Sequence, residues 1–369
     1  MKIGLDAKWF FSGPPSGRNV IRNLIEQIVK QNTDHDLYIF LDSRSRHEVF
    51  PFISDRVHCR YVWGRNNLLS NIFVLPWMAK FLRLDVLVFQ NFTPPISNFK
   101  TIAFVHDLIF LTHPQYFTLK ERIYLYPIKW LGRTADKICT VSEAEKNRII
   151  AQGVATKDKV DVIYNGVSSH FKPRECFMPR LLEEVKERYH IPDSFLLYVG
   201  RLNERKNIQN LLNAITFLNT DIPLVIVGSY DWKMFDIKRF LEKLGLEDRV
   251  ILTGYIEDEH LPIIYSLATV FCFVSYEEGF GLPALESMAS GVPVVVSNRS
   301  SLPEVCGEAG NYVDPDDPRN IAMMVDKLLS EESYYEQQQI KGLQRAEEFC
   351  WEKSAMSLLK CITNLCKRW

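Results

Sequence analysis

The sequence of 369 residues lacks any long apolar run. No stretch approaches the roughly 20 apolar residues that a membrane-spanning helix needs, so the chain is not expected to cross a bilayer. Residues 1–6 alternate apolar and polar side chains as a strand does and have no signal-peptide character, which predicts a cytoplasmic protein. Peripheral attachment to the cytoplasmic face of a membrane stays open.

The chain also lacks paired cysteines. Its eight cysteines are scattered without a Cys-x-x-Cys motif, and several lie inside apolar runs typical of strands, so we expect reduced, mostly packed thiols. No cluster of His and Cys has the spacing of metal ligands, and neither a metal nor another cofactor is predicted.

A strong charge of one sign is missing as well, because 44 Lys and Arg residues balance 45 Asp and Glu residues. This balance excludes an overall attraction to nucleic acid, so any site for a polyanion must be local. Hydrophobic residues make up 47% of the chain, enough for sizeable cores, and the length exceeds what one core usually organises. The composition therefore indicates about two globular domains.

Short β-branched runs alternate with segments of helical periodicity, and this alternation occurs twice. It predicts two doubly wound, Rossmann-like α/β domains with parallel sheets. The predicted strands are residues 2–6, 37–41, 86–89, 101–105, 137–141 and 160–164 in the first half, and 195–199, 224–227, 250–252, 270–274 and 292–296 in the second.

The connector between the halves is predicted near residues 168–180, because residues 168–193 hold Pro173, Pro179 and Pro192 around a charged helical stretch. Residues 1–170 and 171–349 then form the two domains. Residues 348–369 are apolar at helical spacing, and we assign residues 350–369 to the first domain as a helix that packs back onto it.

Polar residues that directly follow apolar strands are candidates for a site, since ligands of parallel sheets bind beyond the carboxyl ends of the strands. Asp6 leads into the loop 12–18, where Gly13 and Gly17 could let backbone N–H groups approach an anion, or could form a plain turn. His106 ends the run 101–105, a position where a functional imidazole is favoured over a core histidine.

Two cations follow the first strand of the second domain. Arg201 and Lys206 lie five residues apart after Gly200. Together they suit a diphosphate leaving group that gains negative charge, although a solvated surface pair is the alternative.

The segment 270–296 combines a strand, a glycine loop, a helix and another strand. Glu278 precedes the loop, and Glu286 lies about one turn into the helix. Paired carboxylates commonly hold sugar hydroxyls. The loop and the start of the helix are formed by Gly279, Phe280, Gly281 and Leu282.

The spacing Glu278-x7-Glu286, with Gly200-Arg201-x4-Lys206, resembles family 4 of the retaining glycosyltransferases. Further motifs extend the resemblance over nearly the whole chain; they are residues 106–108, 140–143, 162–167, 252–255 and 301–305. The resemblance implies the GT-B fold of two Rossmann-like domains facing a cleft, with a C-terminal helix that returns to the first domain.

Residue roles are carried over from this resemblance. It implies that Arg201 and Lys206 bind the donor diphosphate, Glu286 the ribose, and Glu278 the transferred sugar, while His106 lies beside the reacting sugar. The catalytic set is thus His106, Arg201, Lys206 and Glu278, and the donor-binding set is Gly17, Gly200, Arg201, Lys206, Glu278, Gly279, Phe280, Gly281, Leu282 and Glu286. The loop 12–18 departs from the Gly-Gly-x-Gly-Arg form common in the family.

The expected activity is retaining transfer of a hexosyl group from a nucleotide sugar to a glycan or lipid-linked acceptor in cell-surface polysaccharide synthesis. The motifs resemble those of bacterial polysaccharide mannosyltransferases. The predicted donor is therefore GDP-mannose, and a UDP-sugar is the alternative. Other classes are a catalytically inactive sugar-binding protein on the same fold and a glycosyl phosphorylase, while glycoside hydrolysis is disfavoured by the cations beside the carboxylates.

Two further patterns need a function or a structural explanation. Residues 314–317 resemble the Asp-x-Asp of metal-dependent transferases, but their position before a helix favours a turn with an N-cap. Residues 61–83 and 116–133 combine aromatic and basic side chains, which suits a membrane surface or a lipid diphosphate as well as packed core helices.

Overall fold

The computed structural model describes residues 1–229 and 236–367. The chain divides into two compact units, Met1–Gly166 with Cys350–Trp369 and Val167–Phe349. The corresponding predicted ranges are 1–170 with 350–369 and 171–349.

The first unit is built on a seven-stranded parallel sheet with strand order β3-β2-β1-β4-β5-β6-β7. The strands are β1 Lys2–Asp6, β2 Asp36–Asp42, β3 Val57–Val62, β4 Val86–Gln90, β5 Lys100–Val105, β6 Lys137–Thr140 and β7 Val160–Val162. The helices are α1 Pro15–Gln31, α2 Asn67–Leu69, α3 Leu75–Leu82, α4 Ile109–Thr112, α5 Leu119–Leu125, α6 Ile128–Thr134 and α7 Glu143–Ala151, with a π-helical turn Ser70–Val74 before α3.

The second unit repeats this order in a six-stranded parallel sheet, β10-β9-β8-β11-β12-β13. The strands are β8 Leu196–Val199, β9 Leu224–Val227, β10 Val250–Gly254, β11 Val270–Phe273, β12 Val294–Ser297 and β13 Gly310–Val313. The helices are α8 Pro179–Tyr189, α9 Ile208–Ile215, α10 Ile237–Leu244, α11 Leu261–Leu267, α12 Leu282–Ala289, α13 Leu302–Cys306, α14 Pro318–Ser330 and α15 Glu332–Glu347.

A last helix, α16 Trp351–Lys367, belongs to the first unit. It packs along α1, and Gln31 Nε2 donates to the Glu352 carbonyl at 3.1 Å. Ser354 Oγ donates to the carbonyl of Tyr164 at 2.5 Å. Both predictions, the doubly wound parallel sheets and the returning C-terminal helix, are confirmed.

Two strands, β3 and β13, were not predicted. Each lies at an edge of its sheet, where one side of the strand has no neighbouring strand among the described residues. In β3 the polar His58 and Arg60 interrupt the apolar pattern, and β13 begins with Gly310 and Asn311. Edge strands need less apolar burial than central ones, so they leave a weaker sequence signal.

The strand order places a switch point in each sheet, between β1 and β4 and between β8 and β11. At these places the connections of the adjacent strands run to opposite sides, which opens a crevice at their carboxyl ends. The loops after β8 and β11 therefore meet although about 70 residues separate them, and the same geometry brings the end of β1 to the end of β4.

Candidate functional site

The switch point of the second unit brings together a loop rich in cations and a loop rich in carboxylates. Residues 204–206 form a 3₁₀ turn after β8, and Asn203 Oδ1 caps it by accepting from the Lys206 N–H at 3.2 Å. Asn207 follows with φ of 57° and donates from Nδ2 to the carbonyls of Val274 and Pro315 at 3.1 and 2.7 Å. These bonds fix the turn against the end of β11.

Lys206 and Arg205 hold the two oxygens of one carboxylate. Lys206 Nζ lies 2.6 Å from Glu278 Oε1, and Arg205 Nη1 lies 3.1 Å from Glu278 Oε2. Lys206 Nζ also lies 4.6 Å from the centroid of the Phe273 ring. Burial by itself would raise the pKa of Glu278, but the charges of Lys206 and Arg205 outweigh it and hold the pKa below its ordinary value.

The exposure of the two predicted cations differs. Arg201 lies on the surface, whereas Lys206 is only 8% exposed, so the alternative of a solvated surface pair is wrong for Lys206. The reason is the 3₁₀ turn, which directs the Lys206 side chain toward the buried carboxylate of Glu278, in the loop after β11.

The backbone of Glu278 is held from the loop before α13. Ser300 Oγ accepts from the Glu278 N–H at 3.1 Å and lies 2.7 Å from its carbonyl oxygen. Ser301 Oγ lies 3.0 Å from the Glu278 carbonyl and 2.8 Å from that of Phe280. Ser300 has φ of 58°, a conformation that few non-glycine residues adopt.

Gly281 ends the glycine loop and begins α12. Its φ is 106°, and a Cβ there would lie 2.7 Å from Leu302 Cδ2, so the position requires glycine. The backbone N–H groups at the start of α12, including that of Leu282, form the positive end of this helix. This end of α12 suits an anion or an electron-rich hydroxyl.

Glu286 lies inside α12 and is 8% exposed. Its Oε2 accepts from the Tyr265 hydroxyl at 3.0 Å. Burial raises the pKa of Glu286 to about 7, and the hydrogen bond from Tyr265 opposes the rise only in part. The two predicted carboxylates thus have opposite pKa shifts, because two cations outweigh the burial of Glu278, whereas the hydrogen bond from Tyr265 offsets the burial of Glu286 only in part.

The switch point of the first unit holds His106 in a network of hydrogen bonds. Its Nε2 lies 2.8 Å from Gln90 Oε1, and Gln90 Nε2 donates to the Asp6 carbonyl at 3.3 Å, which fixes the orientation of the Gln90 amide. His106 therefore carries its proton on Nε2. Burial lowers the pKa of His106 to about 4, so the imidazole is neutral near pH 7, with a lone pair on Nδ1.

A buried ion pair is linked to His106 through Gln90. Lys8 Nζ lies 2.6 Å from Asp6 Oδ1 and donates to Asn71 Oδ1 at 2.7 Å. Asp6 Oδ2 accepts from the Gln90 N–H at 3.2 Å, which ties the pair to the partner of His106. Burial lowers the pKa of Lys8, and the charge of Asp6 opposes this shift.

Gly13 and Gly17 both face the side chain of Trp9. A Cβ at Gly13 or at Gly17 would lie 2.9 or 2.8 Å from an atom of the Trp9 ring. The Trp9 ring lies 5.6 Å from the ring of His106, centroid to centroid. Packing against Trp9 accounts for both glycines, and the predicted donor contact of Gly17 stays a prediction.

The loop that carries His106 is anchored by α7. Glu145 Oε2 accepts from the Leu108 N–H at 3.0 Å, and Glu145 Oε1 accepts from Arg148 Nε at 2.9 Å. Arg148 also contacts Thr112 Oγ1. Glu145 is fully buried, so one carboxylate joins the start of α7 to the residues that follow β5.

The acidic segment 314–317 is engaged in structural contacts. Arg299 Nη2 lies 3.0 Å from Asp314 Oδ1 and 2.5 Å from Asp316 Oδ2. Asp317 Oδ1 accepts from the N–H groups of Arg319 and Asn320 at the start of α14. The predicted turn with an N-cap is confirmed.

Sequence reasoning missed several residues that contact the predicted ones. Arg205 and Ser301 lie inside motifs that were recognised. Their side chains can form hydrogen bonds, and this was the sequence signal that could have pointed to them. Tyr265, Gln90 and Trp9 lie in or beside apolar segments, where an isolated polar or aromatic side chain gives no sign of its partner.

Comparison with known proteins places these features in a family. Residues 183–345 match the family described as Glycosyl transferases group 1, and residues 17–171 match Glycosyltransferase Family 4. The O-antigen chain mannosyltransferase B of Escherichia coli is 34% identical over 270 residues, which cover 71% of this chain and 70% of the relative. The chain belongs to glycosyltransferase family 4.

A second relative is a longer protein. The serotype-specific mannosyltransferase WbdA of Escherichia coli is 29% identical over 281 residues, which cover 73% of this chain. The match spans about a third of that relative's length, 34%. Family membership makes this chain a glycosyltransferase, and the confirmed resemblance to bacterial mannosyltransferases rests on relatives of this kind.

Solved glycosyltransferase structures share the fold. Sucrose-phosphate synthase from Thermosynechococcus elongatus has a TM-score of 0.79 at 20% identity, with 100% of both chains covered. Anabaena HepE in complex with UDP and glucose has a TM-score of 0.74 at 18% identity, covering 99% of this chain and 100% of that chain. These neighbours establish the GT-B type of fold for this glycosyltransferase.

None of the helices in the described ranges is long and apolar enough to cross a membrane.

Proposed function

We propose that this glycosyltransferase moves a mannosyl group from GDP-mannose to a glycan or lipid-linked acceptor in cell-surface polysaccharide synthesis. The relatives named as O-antigen mannosyltransferases support the sugar and the type of product. The observation that carries the proposal is the cluster at the switch point of the second unit, where Lys206 and Arg205 adjoin Glu278. Cations beside a sugar-binding carboxylate suit a donor that leaves as a diphosphate.

The residue roles follow the charges and polar atoms of the site. Arg201 and Lys206 bind the diphosphate, and Glu286 accepts hydrogen bonds from the ribose hydroxyls. Glu278 and the amides of residues 279–281 hold the transferred sugar. His106 acts beside the reacting sugar, where its neutral imidazole can accept a hydrogen bond at Nδ1.

The transfer proceeds with retention of the anomeric configuration. The bond between the anomeric carbon and the diphosphate oxygen breaks first, and the diphosphate takes the electron pair. The acceptor hydroxyl attacks from the same face, and its proton passes to the departing diphosphate. No protein nucleophile is needed, and Arg201 and Lys206 stabilise the charge that develops on the leaving group.

The donor test is a thermal-shift comparison of GDP and UDP followed by turnover with GDP-mannose. A ligand at about 100 times its dissociation constant stabilises a protein by about 2.7 kcal/mol, which is readily measured. We expect stabilisation by GDP and release of GDP from GDP-mannose with a suitable acceptor. Stabilisation by UDP alone would support the UDP-sugar alternative, and binding without transfer would support an inactive sugar-binding protein. A glycosyl phosphorylase would instead consume inorganic phosphate.

Peripheral contact with the cytoplasmic face of a membrane is part of the same proposal. In the segments 61–83 and 116–133, seven Lys and Arg residues stand against one Glu, although the whole chain is nearly neutral. Large apolar side chains in these segments are exposed; they are Phe73, Trp77, Phe81, Leu119, Ile123 and Trp130. The two segments adjoin, because Leu68 and Leu125 pack against one buried cluster.

This surface combines apolar anchors with positive charge, the combination that favours an anionic bilayer. We expect the protein to sediment with vesicles containing phosphatidylglycerol more than with phosphatidylcholine alone, and less at high salt. Trp77→Ser with Phe81→Ser should weaken this binding, whereas Met323→Ser, an equally exposed apolar side chain in the second unit, should not. Equal loss in both variants would contradict the proposed surface.

A further inference from the structure

The two oxygens of Glu278 are divided between two neighbouring cations. Lys206 Nζ lies 2.6 Å from Oε1, and Arg205 Nη1 lies 3.1 Å from Oε2. The side chains of Glu278, Lys206 and Arg205 are 8%, 10% and 19% exposed. The carboxylate is therefore largely withdrawn from water and depends on these two partners for compensation of its charge.

The proposed function gives Lys206 a second partner. If Lys206 Nζ turns to the diphosphate of the donor, Glu278 loses its shorter ion pair while it remains buried. Removing one partner of a buried ion pair is destabilising, because the remaining charge is left without full compensation. Donor binding would carry this cost unless another cation stays with Glu278.

Arg205 is attached to the segment of Glu278 by more than its ion pair. Its backbone carbonyl accepts from the Tyr276 N–H at 2.9 Å. Its Nη1 also donates to the carbonyl of Glu277. Three contacts thus join Arg205 to residues 276–278, and the planar guanidinium, with several donors, can keep its two contacts simultaneously. Lys206, in contrast, carries a compact ammonium on a flexible stem.

We propose that Arg205 is a positioning residue that keeps Glu278 ionised and in place while Lys206 moves from Glu278 to the donor diphosphate. This inference rests on the proposed function, since it presupposes a diphosphate donor. Arg205 need not contact the donor. It acts through Glu278, which holds the transferred sugar.

The groups that face Glu278 from the surrounding elements support a pH-dependent readout. These are Arg205 and Lys206 from the 3₁₀ turn, Tyr198 from β8, Ser275 after β11, and Ser300 before α13. Burial, followed by the charge of Glu278, raises the pKa of Tyr198 well above its ordinary value, so Tyr198 stays neutral at working pH. Without Arg205, the pKa of Glu278 in the donor complex should rise.

The variants are Arg205→Gln, which removes the charge, and Arg205→Lys, which keeps it. Arg345→Gln is the matched control, because Arg345 also binds backbone carbonyls, those of Glu304 and Val305, and a carboxylate, Glu348. All are made in the full chain. Turnover is measured against pH, and affinity for GDP is measured by calorimetry.

We expect Arg205→Gln to lower kcat about 10- to 100-fold, a typical loss for one charged partner in an active site, and to move the acidic limb of the kcat profile upward by about one pH unit. GDP affinity should fall as well, because the diphosphate of GDP draws Lys206 away from Glu278 and Arg205 no longer compensates the buried carboxylate. Arg205→Lys should restore most of the turnover, and Arg345→Gln should keep the wild-type profile. An Arg205→Gln profile like that of Arg345→Gln would overturn the proposal.

A second measurement does not depend on the donor. In a double-mutant cycle, the effects of Arg205→Gln and Glu278→Gln on the free energy of unfolding should not be additive, because the two side chains interact. Additive effects would contradict the proposal. If the wild-type protein bound neither GDP nor UDP, the proposed function would fail, and so would the proposed movement of Lys206 from Glu278 to the donor. This would hold even if Arg205 and Glu278 were coupled in unfolding. Wild-type transfer with an indifferent Arg205→Gln variant would overturn only the role of Arg205.

Discussion

Arg201 and Lys206 serve the same proposed diphosphate from different surroundings. Arg201→Ala should lower turnover by about 10²–10³, because the charge on the leaving group loses a partner. The free energy of unfolding should change little, because Arg201 is exposed. Lys206→Ala should lower turnover by a similar factor and also reduce the free energy of unfolding by about 1–3 kcal/mol, because Glu278 keeps only part of its compensation. Turnover assays and urea denaturation separate the two effects. Near-normal turnover in both variants would contradict the assigned roles.

Glu286 should make donor binding depend on pH. Its pKa in the free protein is about 7, and the ionised form is the better acceptor for ribose hydroxyls. Donor binding therefore favours loss of the proton, and affinity should rise as the pH increases through 7. At pH 6 about one molecule in eleven is ionised, so GDP should bind about tenfold more weakly than at pH 8.

Calorimetry in buffers of different ionisation enthalpy checks this expectation, since a proton is released on binding near pH 6. Glu286→Gln should remove the pH dependence, and Glu286→Ala should raise the KM for the donor more than it lowers kcat. A flat affinity profile in the wild-type protein would refute the role of Glu286 in ribose binding.

At the scale of elements, α7 positions the loop after β5. Glu145→Ala should release the Leu108 N–H and Arg148, reduce the free energy of unfolding by about 1–3 kcal/mol, and lower turnover through the displaced His106. Glu143→Ala on the same helix is the control, because Glu143 is exposed and its ion pair with Lys146, at 3.2 Å, lies at the surface. Thermal denaturation and turnover are measured for both. Equal effects would show that Glu145 has no special role.

At the scale of the molecule, the charges already present bear on the need for a metal. Arg201 and Lys206 lie on the loop after β8, and the start of α12 adds positive potential. We expect turnover to be unchanged by EDTA, since these groups can neutralise a diphosphate. Loss of turnover with EDTA and recovery with magnesium or manganese would contradict this and direct attention to Asp314 and Asp316, which now pair with Arg299.

Most of the architecture could be predicted because its signals are local in the chain. A central strand is buried on both sides, so its apolar run is readable without a partner. Eleven strands were predicted from apolar runs, including the edge strands β7 and β10. The other two edge strands were missed, because His58 and Arg60 interrupt β3 and β13 begins with Gly310 and Asn311. The motifs that end in Glu278 and Glu286 likewise identify the family, since each is a short, ordered pattern.

What the sequence by itself determined is therefore the fold class, the family and the residue types of the site. The tertiary structure decided which side chains meet. The switch point brings Arg205 and Lys206 to Glu278 across 73 and 72 residues, and Gln90 to Asp6 across 84. Burial raises the pKa of Glu286, whereas the neighbouring Lys206 and Arg205 hold the pKa of Glu278 low, although both are glutamates in one motif. Contacts and burial depend on three-dimensional neighbours, which no local pattern specifies.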